Sequence, residues 1–198
     1  MGICSSMKAQ DAGVIHFGVY GRGESNLYKF EARPDKTFSS VRTSNGYSAG
    51  IEANAVLHYL LKMDFRLGFS EMNYGPNYRE NTTSVLSANN IRSVQIGANA
   101  HLRLGSHEKR YPSFFVGTQI NTVREKFLSG VGDYKNQAWE ETRSFTQLGI
   151  AGHFLLKKER VLIKPEMGMR LKLFGRKAWE NTPSQVFVGL SVGYRLKK

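Results

Sequence analysis

Apolar and polar side chains alternate along Val161–Leu173, VLIKPEMGMRLKL, with a period of two residues. The odd positions carry valine, isoleucine, proline, methionine and leucine, whereas the even positions carry mainly lysine, glutamate, glycine and arginine. Val186–Leu196, VFVGLSVGYRL, repeats the pattern, with glycine, serine and arginine on its polar side. A period of two places alternate side chains on opposite faces of a β-strand. Both stretches are therefore predicted to be strands with one apolar and one polar face.

The same alternation recurs along the chain, and we interpret eight segments as strands. They are Val14–Gly23, Tyr47–Tyr59, Leu61–Asn73, Ile91–Leu104, Tyr111–Arg124, Phe145–Leu156, Val161–Phe174 and Gln185–Leu196. Strands in soluble sheets typically have about 5–6 residues, whereas a tilted strand needs about 9–11 residues to cross a bilayer. Most of the eight are long enough to cross. Their length favours strands that span a membrane.

The connections between these strands alternate in length. The long and polar ones are Glu24–Gly46, Tyr74–Asn90, Glu125–Ser144 and Gly175–Ser184. The other connections, which alternate with the long ones along the chain, are short turns near Leu60, at Gly105–Arg110 and at Lys157–Arg160. Long loops at one end and short periplasmic turns at the other are typical of outer-membrane barrels. The sequence therefore predicts an all-β fold, an eight-stranded antiparallel up-and-down transmembrane β-barrel.

Glycine positions indicate which face of the strands points inward. Nine glycines fall on the polar faces: Gly18, Gly50, Gly68, Gly97, Gly117, Gly149, Gly168, Gly189 and Gly193. Strand positions that face water have no need to be small. The interior of an eight-stranded barrel, in contrast, is just wide enough for side chains to fill, so large charged groups inside it need glycine neighbours. The polar face is predicted to line the lumen and the apolar face to contact lipid.

Ionisable side chains on the polar faces of the strands are predicted to contact one another in the lumen. This lumenal charge network comprises Glu52, Asp64, Arg66, Arg103, Lys164, Glu166, Arg170 and Arg195. Because buried charges must be paired, we expect the network to plug the barrel and the role of the chain to be structural or accessory. A narrow pore is the alternative within the membrane. A soluble, lipocalin-like ligand-binding barrel is the alternative outside it.

Four of the five histidines share the lumenal phase: His16, His58, His101 and His153. Neutral imidazole is a common metal ligand, but strands on nearly opposite sides of the barrel carry these residues. One ion could not reach all four. We therefore expect lumenal hydrogen bonding, with no metal and no cofactor.

The first ten residues, MGICSSMKAQ, resemble the tail of a secretory signal peptide that is cleaved after Ala9 or Gln10. A disordered tail is the alternative interpretation. The barrel domain is predicted to occupy Asp11–Lys198. Cys4, the single cysteine, falls inside the first segment. A processed chain would therefore have no disulfide, no cysteine-ligated metal and no cysteine nucleophile.

The formal net charge is +12, and the sequence pI is about 9.9. A strongly basic chain usually suggests nucleic-acid binding. Here the basic residues are spread over both ends of the barrel and its lumen, not gathered into one patch. Such a distribution suits lipid phosphates of an anionic membrane. We expect outer-membrane lipid and lipopolysaccharide as partners, and no nucleic acid.

The long loops combine aromatic side chains with charges of both signs, a composition enriched at protein interfaces. The residues predicted to serve recognition there are Tyr28, Tyr78, Tyr134, Trp139 and Trp179. Loops on a rigid scaffold often carry recognition. We expect them to bind a protein or a surface glycan outside the cell. Shielding of the barrel from lipopolysaccharide and antibodies is the alternative.

Enzymatic activity is not expected, although a lipid A-modifying outer-membrane enzyme is an alternative for a small barrel. The predicted loops contain acids such as Glu24, Glu80 and Glu140, but the histidines lie elsewhere. A site at the loop end would lack an imidazole base. No His-x-Ser motif lies on a lipid-facing strand.

Asp11–Lys198 resembles the small outer-membrane β-barrel proteins of Gram-negative bacteria, in particular the PorT-like group, and in architecture the OmpA/OmpX-type barrels. The features that carry the resemblance are the Ala9-Gln10 junction, the strand glycines Gly50, Gly97, Gly117, Gly149 and Gly189, and the final strand Val186–Leu196. That strand resembles a barrel-assembly signal, with Gly189, Val192 and Tyr194 at its glycine and hydrophobic positions, but it ends in Leu196-Lys197-Lys198 and not in an aromatic residue. The resemblance implies a barrel in the outer membrane and no activity. A protein partner in an outer-membrane complex is a separate expectation, and the sequence does not give its identity.

Overall fold

The computed structural model describes residues 13–27, 45–74, 77–80, 83–86, 89–105, 107, 109–127, 138–156, 159–172 and 184–195. These residues form β-strands and short turns. The strands are β1 (Ile15–Leu27), β2 (Asn45–Val56), β3 (Leu61–Tyr74), β4 (Asn77–Glu80), β5 (Thr83–Leu86), β6 (Asn89–Arg103), β7 (Arg110–Phe127), β8 (Ala138–Leu156), β9 (Val161–Lys172) and β10 (Ser184–Arg195). No helix among the described residues is long and apolar enough to cross a membrane.

Eight of the strands close into one antiparallel barrel in the order β1-β10-β9-β8-β7-β6-β3-β2. Closure occurs between the first and last strands, where Phe17 pairs with Tyr194 and Val19 with Val192. The short strands β4 and β5 form a separate two-stranded sheet. The predicted eight-stranded antiparallel barrel is confirmed.

Several predicted strand ends at the long-loop side were wrong. β1 continues to Leu27, so Glu24 belongs to a strand and not to a loop. β8 begins at Ala138, so Trp139 and Glu140 are also strand residues. Alternation marks a strand only where one face meets lipid. Beyond the membrane both faces are polar, and the pattern disappears although the hydrogen-bonded pairing continues.

Two further boundaries differ from the prediction. The segment predicted as the loop Tyr74–Asn90 contains β4 and β5. β2 ends at Val56, and the backbone turns back through hydrogen bonds between His58 and Leu61. His58 is exposed in this turn, so its predicted lumenal position was wrong. Beyond the end of the strand, the position of a residue in the alternating pattern no longer shows whether its side chain points into the lumen.

Burial in the barrel is the inverse of that in a soluble protein. Apolar residues of the outer face are open, with Val188 64% and Ile96 61% exposed, whereas Asp64, Lys164 and Arg170 inside are 0% exposed. An outer surface of this composition is stable in a bilayer, where a closed barrel also satisfies all of its backbone hydrogen bonds. The predicted orientation of the two faces is confirmed, and the soluble lipocalin-like alternative is wrong.

Glycines on the inner face leave space for large lumenal groups. A Cβ on Gly189 would lie 2.6 Å from Cγ of Arg22, and one on Gly149 would lie 2.7 Å from Cζ of Phe115. Real Cβ atoms do not approach so closely. The absence of a side chain at these positions therefore lets Arg22 and Phe115 occupy the lumen.

Tyrosines mark both ends of the outer apolar surface. Tyr47 lies near the long-loop end of β2 and Tyr194 near the short-turn end of β10, and both are 49% exposed. Aromatic residues at these levels are expected of membrane barrels. Tyr111, at the short-turn end of β7, differs from these two because it points inward and is buried. Alternation in β7 places it on the lumenal face with Ser113 and Phe115.

Candidate functional site in the barrel lumen

An ion pair joins opposite walls at the centre of the lumen. Nη2 of Arg66 lies 2.6 Å from Oε2 of Glu166, and Nη1 donates to Oε1 of the same carboxylate at 2.9 Å. Arg66 lies on β3 and Glu166 on β9, strands four places apart in the ring of eight. The other side of the guanidinium donates through Nε to Oε2 of Glu52 at 2.6 Å. Arg66 therefore bridges two carboxylates across the barrel axis.

Lys164 forms a second cross-lumen contact directly beside the first. Its Nζ donates to Asp64 Oδ2 at 2.7 Å, to Glu52 Oε2 at 2.9 Å and to Asn54 Oδ1 at 2.9 Å. Three acceptors match the three protons of an ammonium group. Ser191 completes the surroundings by donating to the other oxygen of Glu52 at 2.8 Å. The buried cation is fully hydrogen-bonded.

A third group of charges lies nearer the long-loop end. Arg170 Nη2 lies 2.8 Å from Glu24 Oε1, and Ser48 donates to the same oxygen at 2.5 Å. Arg22 donates through Nε to Glu166 Oε1 at 2.6 Å, which links this group to the central one. The guanidinium of Arg22 also lies over the ring of Phe187, 4.1 Å from its centroid.

The buried charges of these three groups balance. Four acids and four bases take part: Glu24, Glu52, Asp64 and Glu166 with Arg22, Arg66, Lys164 and Arg170. We call this set the central charge cluster. Removal of these ions from water is expensive, and only good geometry with additional hydrogen bonds offsets the penalty. Glu52, Asp64, Arg66, Lys164 and Glu166 meet both conditions. In the part of the cluster nearer the long loops, Arg22 Nη2, Glu24 Oε2 and Arg170 Nε are buried without a hydrogen-bond partner among the described residues.

Five of the eight residues predicted for the charge network are adjacent members of this cluster: Glu52, Asp64, Arg66, Lys164 and Glu166. Arg170 belongs to it through Glu24. Arg22 and Glu24 were not predicted as members of the network. Glu24 lies beyond the predicted end of its strand at Gly23, and the position of Arg22 within that strand does not reveal its partner, Glu166.

Arg103 and Arg195 lie apart from the central charge cluster, at the short-turn end of the lumen. Arg103 donates to the backbone carbonyls of Gly105 at 3.2 Å and His107 at 2.6 Å. Its guanidinium stacks over Tyr111 at 4.3 Å. Arg195 ends β10 and lies opposite His16. Strand phase indicates the face of a residue, but not its height along the barrel axis.

A hydrogen-bonded chain of imidazoles lies between the cluster and the short-turn end. His101 Nε2 lies 2.7 Å from Asp64 Oδ2, and its Nδ1 lies 3.2 Å from Ser113 Oγ. Ser113 Oγ lies 2.9 Å from His153 Nε2. His153 stacks on Tyr111 with centroids 4.8 Å apart. This Asp-His-Ser arrangement was not predicted, because its three residues lie on the lumenal faces of three different strands and not in the loops or on a lipid-facing strand.

The remaining histidine of the lumenal face, His16, is separate from this chain. Its Nε2 lies 3.0 Å from the backbone oxygen of Glu159. Within the described part of the chain, no group of three or more His, Cys, Asp or Glu residues is arranged to hold a metal ion. The four predicted lumenal histidines therefore separate into a pair, His101 and His153, and two isolated residues.

Apolar side chains also occupy the lumen, which the sequence analysis treated as polar. Phe115, Ala151 and Phe187 pack together, and Phe145 and Leu162 are buried on the same inner face. Their phase was visible in the sequence, but they were outnumbered by polar residues. They fill the space between the charged groups.

The predicted recognition residues Tyr28, Tyr134 and Trp179 lie outside the described residues, as do residues 1–10. Tyr78 is part of β4 and Trp139 part of β8. The side chains of these two lie outside the described part of the structure as well.

No family model matches the chain, and no curated protein matches it. Solved structures with the same architecture do match. Ail, the attachment invasion locus protein of Yersinia pestis, aligns with a TM-score of 0.53 at 10% identity over 94% of this chain and 100% of that chain. Neisserial surface protein A aligns with a TM-score of 0.54 at 13% identity over 92% of this chain and 97% of that chain. The fold is that of the small outer-membrane β-barrels.

The architecture, the apolar outer surface and the polar interior agree with one another. An eight-stranded closed barrel whose apolar residues point outward is an integral membrane barrel of the outer-membrane type. The resemblance inferred from the strand glycines and the final strand is confirmed at the level of the fold. One structure of Ail holds the heparin analogue sucrose octasulfate.

Proposed function

We propose that the protein is a non-conducting outer-membrane scaffold. Its lumen is closed by the central charge cluster, and its long extracellular loops carry recognition. The pair Arg66–Glu166 carries the first part of the proposal, because it joins strands on opposite sides of the barrel at 2.6 Å. An ion or solute travelling along the axis would have to separate these groups.

Burial strengthens this argument. Both members of the pair have side chains no more than 3% exposed. Breaking such a pair leaves an uncompensated charge in a poorly solvated site, which costs about 3–5 kcal/mol. A plug made of ion pairs is therefore a persistent part of the fold and not a gate that opens at thermal energies.

The barrel is also proposed to be non-catalytic. Asp64, His101 and Ser113 have the residue types of a nucleophilic site. However, Ser113 is 1% exposed and its Oγ lies between two imidazoles. A substrate carbonyl has no approach to that oxygen. The chain of hydrogen bonds is better suited to holding the walls together.

The loops are proposed to bind a protein or a surface glycan, with lipopolysaccharide around the barrel. Support comes from the aromatic and charged composition of the loop sequences and from the rigidity of the scaffold beneath them. The binding of a heparin analogue by Ail gives a glycan precedent within the same fold. Nucleic acid is not proposed as a partner.

Conductance in planar bilayers tests the plug. We expect purified wild-type protein to show no steady channel, because the Arg66–Glu166 pair blocks the axis. The double substitution Arg66→Ala with Glu166→Ala should create small, reproducible openings. Arg92→Ala is a matched control, since among the described residues Arg92 pairs with Glu71 at 3.5 Å and its side chain is 72% exposed. Steady conductance of the wild-type protein would refute the proposal and favour the narrow pore.

Loop replacement tests recognition. Residues 128–137 connect β7 and β8, and a flexible linker of equal length should leave the barrel folded because chain closure depends weakly on loop composition. The replacement must stop before Ala138, where β8 begins. Loss of a partner that co-purifies in mild detergent is the expected result. Retention of the partner after replacement of every long loop would locate binding on the lipid face or at the short-turn end.

A further inference from the structure

A small pocket opens at the short-turn end of the lumen. Its volume is about 20 Å³, which is room for one group of the size of a water molecule. It is lined by Val14, His16, Val56, Lys62, Leu155, Glu159 and Arg195. Val56 on β2 and Leu155 on β8 come from opposite strands of the ring. The pocket therefore lies on the barrel axis, at the mouth of the lumen.

Lys62 is the most buried charged group of this pocket, at 5% exposed. Its ammonium contacts the hydroxyl of Tyr111 and lies 4.6 Å from the centroid of the same ring. Among the described residues, Asp64, Glu52 and Glu166 form their ion pairs with basic side chains other than Lys62. Glu159 lines the pocket, but no ion pair joins it to Lys62. Lys62 is thus a buried cation without a carboxylate partner in the described part of the chain.

This arrangement contrasts with the central charge cluster, where acids and bases balance. A buried ammonium requires compensation by an opposite charge, and an ammonium has three donors, of which Tyr111 accepts one. His16 and Arg195 face each other across the β1–β10 pair at the same level. The pocket offers cationic and hydrogen-bonding groups from several strands to an acceptor that enters from the periplasm.

We propose that the pocket binds a phosphate group, one oxygen of which contacts the Lys62 ammonium. Phosphate fits because its oxygens accept hydrogen bonds both from the ammonium group of lysine and from the planar guanidinium group of arginine. The pocket admits one oxygen and opens towards the short-turn end, so the rest of the group stays outside. The source is either free phosphate or the headgroup of a lipid in the inner leaflet.

The surroundings of the mouth support an anionic ligand. Lys109, Arg110 and Arg160 are exposed at the short-turn end, and backbone hydrogen bonds tie Lys109 to Leu155 and Arg160 to Arg195. With Lys62 and Arg195, these cations outnumber Glu159, the one acid in the described pocket lining, and an excess of positive charge around a recess raises the local concentration of anions. These three residues would therefore attract the phosphate that Lys62 holds.

Calorimetric titration of the full folded chain with inorganic phosphate tests the proposal, with chloride at equal ionic strength as the reference. Lys62→Met keeps the aliphatic stem and removes the charge, and it should weaken binding by at least about tenfold. Arg92→Met is the matched control, because Arg92 is 72% exposed near the long-loop end of β6 and does not line the pocket; it should change affinity by less than about twofold. Equal affinity of the Lys62→Met protein, or no phosphate heat above chloride in the wild type, would overturn the proposal.

A second variant keeps the test decisive if Lys62→Met fails to fold. Arg195→Gln changes a partly exposed residue at the end of β10 and should weaken phosphate binding by about threefold. Unchanged affinity in this variant, with Lys62→Met unfolded, would count against the pocket. Titration in nanodiscs of phosphatidylcholine or of phosphatidic acid separates the two sources. Suppression of free-phosphate binding by phosphatidic acid identifies a lipid headgroup, whereas equal binding in both identifies free phosphate.

Discussion

The centre of the lumen and its short-turn mouth have the same kinds of side chain, but acids and bases balance at the centre, whereas cations are in excess at the mouth. At the centre, Arg66 contacts three carboxylates and Lys164 contacts two. At the mouth, Lys62 is buried against Tyr111, and Arg103 donates to backbone carbonyls. The centre is thus satisfied by the protein itself, whereas the mouth has room for an anion from outside.

The contrast between centre and mouth shows that the height of a lumenal charge along the barrel axis decides its role. Groups that lie midway reach opposite walls and join them, as Arg66 does with Glu166. Groups near the open end reach water and the membrane surface. The predictions below separate these two roles, beginning with the largest expected effect.

The largest loss of stability is expected from Glu166→Ala. This carboxylate accepts from Arg66 and Arg22, and its removal leaves two guanidinium groups short of a partner. Removal of one member of a buried pair costs about 3–5 kcal/mol. The free energy of unfolding, measured by urea titration in detergent, checks this value.

Arg92→Ala serves as the control for that experiment. Its pair with Glu71 is 3.5 Å long and its side chain is 72% exposed, so the loss should be below about 1 kcal/mol. Similar urea midpoints for the two variants would show that the central charge cluster does not hold the barrel together.

Gly189→Ala is expected to have the next largest effect. The added Cβ would lie 2.6 Å from Cγ of Arg22 and 3.0 Å from the backbone oxygen of Gly21. Overpacking of this kind costs about 1–3 kcal/mol. The same substitution at Gly21, which has nothing within 4 Å of the added atom, should leave stability unchanged or raise it. A reversed order of the two midpoints would contradict the packing argument.

A loss no larger than that of Gly189→Ala is expected from Ser113→Ala. The change removes the hydroxyl that lies between His101 and His153, and a buried polar group left without its partner costs about 1–3 kcal/mol. The melting temperature of this variant is compared with that of Ser144→Ala, a control substitution at an exposed position on β8. An unchanged melting temperature would show that the imidazole chain contributes no stability.

The sequence predicts much of the fold because lipid imposes a period of two on every membrane-crossing strand. Eight strands, their pairing order and the inward polar face follow from that pattern. The ends of β1, β7 and β8 do not follow, because strands that rise above the membrane lose the apolar face that marks them.

The site was predicted less completely. Phase places Asp64, His101 and Ser113 on one inner face, but only the register of β3, β6 and β7 brings them into contact. Register depends on pairing between distant segments, which a single sequence does not contain. The same limit explains why Arg103 and Arg195 were grouped with charges that lie at another height.

A double-mutant cycle on Arg66 and Glu166 measures whether the two side chains pair across the lumen. The free energy of unfolding is measured for the wild-type protein, Arg66→Ala, Glu166→Ala and the double variant. Groups that touch across the lumen should show a coupling energy of about 0.5–3 kcal/mol. Effects that add to within about 0.3–0.5 kcal/mol would contradict an ion pair that joins opposite walls of the barrel.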